Sequence, residues 1–99
     1  MPAVAFLGCI CSGHGCFPPR RCVSASSDVF VEGRAVHRQS DKWDFHRCKK
    51  KVHSSTLAGG SGTVFVNGLG IGRIGDGVAC GSRVMTGVGT VFAGGLEKI

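Results

Sequence analysis

Four histidines (14, 37, 46 and 53) and six cysteines (9, 11, 16, 22, 48 and 80) are the chain's strongest metal-binding side chains. Their spacing follows a repeat. The line "SSDVFVEGRAVHRQSD" at 26–41 returns 35 residues later as "SGTVFVNGLGIGRIGD" at 61–76, sharing Ser, Val, Phe, Val, Gly, Arg and Asp in register. His46 follows Asp41 by five residues, and Cys80 follows Asp76 by four. A fragment near the start, "AVAFLGC" at 3–9, aligns with "GIGRIGD" at 70–76 through Gly8 and Gly75, and His14 follows Cys9 by five. Three ligand-type residues thus occupy nearly equivalent places in three copies of one unit. Threefold placement would carry them toward one axis, where His53 is near enough in sequence to join as a fourth. Three imidazoles and one thiolate make a closed tetrahedral zinc set, and a closed set is structural because catalysis keeps a position open.

The thiolate is not unique at this point. Cys11, Cys16 and Cys48 lie close to the same histidines and compete with Cys80 for the role. His37 belongs to the strand after a turn, not to the loops after the Asp positions, and reads as a surface or packed histidine. Six cysteines could make three disulfides in fifteen ways. Four of them crowd into the first 22 residues and the start has no basic leader region, so free thiols are expected. Other motifs fail. "GIGRIG" at 70–75 fits a dinucleotide-binding pattern, but "DGVACG" follows where a helix would have to begin. There is no H-E-x-x-H, no phosphate-binding loop and no G-x-S-x-G, and six scattered acids offer no evident carboxylate pair.

The elements that must position these ligands are β-hairpins. Seventeen glycines in 99 residues exclude a helical composition. No stretch approaches the ~18 apolar residues of a membrane span. Thr63–Val66 is a β-branched and aromatic run, Asn67-Gly68 is a two-residue hairpin turn, and Leu69–Ile74 resumes the alternation. "GTVFAGG" at 89–95 repeats the opening half of the unit, so the chain begins and ends in mid-unit. A lone hairpin cannot bury its apolar face. Three around one axis can, with the first and last strands completing the split copy. The expected body is a compact, pseudo-threefold, all-β domain without significant helix. Insertions at 14–25 and 42–60 should gather at one end. The net charge of +6 permits an acidic partner, but its only dense run is Arg47 with Lys49–Lys51, so nucleic acid is not the expected partner.

The stretches "PAVAFLG", "CSGHGCFPPR", "VFVEGRAVHR", "VFVNGLGIGRIGD", "ACGS" and the closing "GTVF" together resemble the PAAR-repeat family across almost the whole chain. The resemblance implies a small β cone, spanning 1–99 as a single domain with no appended effector domain. It implies a non-enzymatic role. The cone's broad base would cap a trimeric VgrG-type spike of bacterial type VI secretion, or a contractile phage tail spike, one tip per trimer. Carried onto this sequence, the family's structural zinc ligands are His14, His46, His53 and Cys80. The implied life cycle is assembly in the bacterial cytoplasm, then delivery at the spike tip with any effectors, touching the target membrane in passing. The competing readings are a small toxin enzyme and a basic zinc module for nucleic acid. One departure stands out. Phe6 and Cys9 occupy the first copy where the R-x-G-D pattern would place Arg and Asp.

Overall fold

The Asn67-Gly68 pair forces the chain back on itself. Both residues take left-handed backbone angles (φ 54° and 79°), the turn whose twist suits a two-residue hairpin. Glu32 and Gly33 do the same at φ 51° and 75°. The strands on either side are short. In the computed structural model, which describes residues 1–98, they are β1 (Phe30–Val31), β2 (Arg34–Ala35), β3 (Lys42–Cys48), β4 (Lys51–Thr56), β5 (Gly60–Ser61), β6 (Phe65–Val66), β7 (Leu69–Gly70) and β8 (Glu97–Lys98). They pair antiparallel as β1–β2, β3–β4, β5–β8 and β6–β7. No described residue is helical, as the glycine content required.

Two hairpins share one register, with Phe30 opposite Ala35 and Phe65 opposite Gly70. The chain ends meet in the same way. Ala3 bridges Phe92, and the Val4 N–H donates to the Val91 carbonyl at 3.0 Å, as Val36 does to Val29 (3.1 Å) and Ile71 to Val64 (3.0 Å). The two hairpins and the paired chain ends are then laced to each other. The His37 N–H donates to the Ala5 carbonyl (3.1 Å), Ala5 to Gly72 (2.8 Å) and Gly72 back to His37 (2.9 Å), a closed ring of three bonds. Backbone bridges run alongside it, Val4 to Arg73, Ile71 to Arg38 and Val36 to Phe6. Glycine at 72 is what lets the ring close. A Cβ there would lie 2.9 Å from the His37 carbonyl oxygen and 2.8 Å from Leu57.

Two apolar clusters sit along this lacing. Val4, Val36, Val66, Ile71, Val88 and Ala93 form one, and Ala5, Cys9, Cys11, Cys22, Trp43, Leu57, Val78 and Val84 form the other. The second cluster carries the insertions. Cys22 bridges Trp43, the Val23 N–H donates to Lys42 at 2.8 Å and Asp44 to Arg21 at 2.9 Å, so 14–25 packs on β3. Strand β3 has a register shift between Trp43 and His46. Residues three apart on a regular strand face opposite sides, yet Trp43 and His46 are both buried. The bulge re-aims one of them, turning His46 inward where a regular strand would expose it.

Candidate metal centre

Each ligand-type side chain is set by a different local device. His46 and His53 face each other directly across β3 and β4, a pairing that holds their Cβ atoms about 4.5–5.5 Å apart. His14 sits at the start of a tight turn, exchanging backbone bonds with Phe17 at 2.8 and 3.1 Å. Cys80 rides a loop closed by Val78 and Ser82 (2.8 Å) and tied to β4 by the Ala79 N–H donating to Thr56 (2.9 Å). The Phe17 ring lies against all three imidazoles, at centroid distances of 4.9 Å (His14), 4.7 Å (His46) and 4.2 Å (His53).

The donor atoms converge. The Nε2 atoms of His46 and His53 are 2.6 Å apart, those of His14 and His53 3.1 Å, and all four ligand atoms, the Cys80 Sγ included, lie within 4.8 Å of one another. The His46 Nδ1 is 2.9 Å from the Pro18 carbonyl. A carbonyl only accepts, so Nδ1 carries the proton and the neutral ring keeps its lone pair on Nε2. Burial lowers the His46 pKa, helped by the positive charges of Arg20, His53 and His14 and opposed by the Pro18 bond. His53 is lowered by burial, then by His14 and Arg20. Burial works against a Cys80 thiolate, but Ser82, through its hydroxyl and N–H, and Arg20 outweigh it and lower that pKa below the ordinary thiol value.

This donor set fits zinc. Neutral imidazoles and a favoured thiolate are the forms a metal needs. A tetrahedral ion with bonds of about 2.0–2.1 Å would hold its nitrogens roughly 3.3 Å apart, close to the 3.1 Å between His14 and His53 and wider than the 2.6 Å between His46 and His53. A proton shared between rings, by contrast, can serve only one pair of the three nitrogens.

The structure brings together all four residues that the sequence singled out. It places the other thiols elsewhere. Cys11 is buried in the core. The expectation of six free thiols needs correction, because Cys16 and Cys48 form a disulfide with Cα atoms 5.5 Å apart. The reason is geometric: each stands two residues from a ligand (His14 and His46), so gathering the ligands gathers them too. His37 is packed, its Nδ1–H donating to the Ser24 carbonyl at 2.9 Å and its ring edge-on to Trp43. Sequence reasoning missed Arg20, whose buried guanidinium donates to the Cys80 Sγ at 3.0 Å. Its Nε and Nη1 find no partner among the described residues, and no spacing pattern points to it. Phe17 was missed for the same reason.

A small all-β body that gathers three histidines from its insertions and Cys80 from the loop after Asp76 defines a class of metal-competent domain. The family signature described as PAAR motif matches residues 12–86, and the chain belongs to that family. Its members are spike-tip proteins of type VI secretion systems and contractile phage tails, so membership implies a structural role. No curated protein matches the chain.

Proposed function

We propose that this chain caps a trimeric spike of VgrG or phage-tail type, one tip per trimer, as a pseudo-threefold cone whose vertex is tied by zinc. The observation that carries the reading is two hairpins in one register, with the chain ends bridged at the matching position, Phe92 to Ala3. Each of the three presents a phenylalanine at the same place: Phe30, Phe65 and Phe92 are 57%, 50% and 51% exposed. Half-exposed aromatic side chains at matched positions suit a partner with three similar subunits, and one chain can then meet a trimer without a symmetry mismatch. The long dimension of 38 Å against 25 and 23 Å suits an elongated tip.

The insertions would form the vertex. A pointed end has few neighbours and little apolar surface to bury, so packing alone stabilises it weakly. Zinc on His14, His46, His53 and Cys80 would tie segments up to 66 residues apart, with no position left open for catalysis. The protein's own residues prepare the site: Pro18 fixes the His46 tautomer, Arg20 and Ser82 favour the thiolate, and Phe17 packs the rings in place. Delivery outward on a spike, with any effectors, follows from the same reading.

Native mass spectrometry of the chain co-expressed with its cognate spike tests the docking. One tip per three spike subunits is expected, and Phe30→Glu, Phe65→Glu and Phe92→Glu combined should abolish the complex. No complex with the unaltered chain, or a three-to-three stoichiometry, would overturn it.

A further inference from the structure

Two of the three matching loops are locked by an ion pair. Asp41 accepts from the Arg38 side chain at 2.9 Å twice and from the Arg38 N–H at 2.8 Å. Asp76 accepts from Arg73 in the same three ways, at 2.9 to 3.1 Å. The first loop has Phe6 and Cys9 at those places and retains only the backbone part, the Cys9 N–H donating to Phe6 at 2.9 Å. Something else stands beside Cys9. The sulfur of Cys22 is 3.3 Å away, and both residues are buried.

The two cysteines lie on one antiparallel ladder. The Cys22 N–H donates to the Cys9 carbonyl at 3.0 Å, and the Gly8 N–H to the Cys22 carbonyl at 3.3 Å, so the backbone already holds the sulfurs face to face. Bonding would draw them from 3.3 Å to about 2.05 Å, which side-chain rotation can supply. We propose that Cys9 and Cys22 are a disulfide-forming pair, and that their bond takes the place in the first loop of the Arg–Asp lock in the other two.

The chemistry needs an oxidant, and a small disulfide such as oxidised glutathione serves. The Cys22 thiolate attacks one oxidant sulfur and expels a thiolate. Cys9 then loses its proton, attacks the Cys22 Sγ and expels the small thiol. One S–S bond forms in the protein, one breaks in the oxidant, and the two released thiols take up the two protons. Cys22 is the better first nucleophile. The Cys9 hydrogen bond favours its thiolate, burial opposes it, and the neighbouring His37 ring favours it further. With both sulfurs buried, reaction proceeds when the 9–22 ladder opens or before it closes.

The test uses the full chain. Reduced protein is equilibrated with graded ratios of reduced to oxidised glutathione, blocked with iodoacetamide, digested and mapped by fragment-ion mass spectrometry. The expected product links Cys9 to Cys22, with Cys11 and Cys80 alkylated. A second measurement compares melting of oxidised and reduced Cys16→Ser/Cys48→Ser protein. For a bond spanning 13 residues, about 2.9 kcal/mol of loop-closure entropy, oxidation should raise Tm by roughly 12–23 °C, and adding Cys22→Ala should remove the rise. If that variant does not fold, the mapping decides. Cys9 and Cys22 both alkylated where Cys16–Cys48 has closed, or either one linked to Cys11, would overturn the proposal.

Discussion

His53→Ala separates the metal from the packing. The His53 ring is only partly buried, and among the described residues its ring nitrogen Nε2 is hydrogen-bonded only to the other two cluster histidines. Without metal, its removal forfeits the stacking on Phe17 at 4.2 Å and on His14 at 5.1 Å, about 0.5–1.5 kcal/mol for each ring pair. At ~4–8 °C per kcal/mol, the variant in a chelator should melt roughly 4–24 °C below the wild type. With free zinc at about 1,000 times the dissociation constant, the wild type gains about 4.1 kcal/mol. At ~4–8 °C per kcal/mol for a domain of this size, that is roughly 15–30 °C. A hundredfold loss of affinity on removing one ligand leaves the variant about 1.4 kcal/mol of gain, roughly 6–11 °C. The assay is four melts followed by calorimetry: both proteins, each in zinc and in chelator at one neutral pH. Equal melting of the wild type with and without metal would refute the reasoning, as would a variant that keeps the full increment.

Two further perturbations test the scaffold. Gly72→Ala puts a methyl group against the His37 carbonyl and Leu57 and should destabilise by about 1–3 kcal/mol in urea unfolding; Gly89→Ala, with open space around its Cβ, should change little, and equal effects would remove the argument from the hydrogen-bonded ring. Burial raises the Asp41 pKa, but the Arg38 guanidinium and N–H and the Ser24 hydroxyl overcome it, leaving the carboxyl below its ordinary value. A depressed folded pKa gives stability that is full above the unfolded value near ~3.9 and is lost as pH falls through the folded one. Asp41→Asn should therefore lower neutral-pH stability by about 1–3 kcal/mol and flatten its fall below pH ~4. Asp76→Asn should not flatten it, because burial there prevails over Arg73, and the Glu97 charge adds to it, so that carboxyl is raised. Identical acid profiles for the two variants would contradict the assignment.

Much of the centre is legible in the sequence. His14, His46 and Cys80 fall at nearly the same offset from the end of each repeat copy, and a repeated hairpin delivers its loops to repeated places. The Asn67-Gly68 turn and the glycine-imposed absence of helix are local effects, set by backbone angles that neighbouring residues alone dictate. That the first and last segments meet was readable because the two half-units complete each other; the structure then puts Ala3 opposite Phe92. Tertiary structure decided the rest. A bulge between Trp43 and His46 depends on what β3 meets, and no periodicity announces it. Of the fifteen ways to pair six cysteines, sequence favours none; Cys16 meets Cys48 because the histidines beside them converge. Arg20 acquires its role only when folding buries it beside Cys80, 60 residues away. Spacing along a chain encodes repeats and turns, whereas contacts between distant segments exist only once those turns have been packed together.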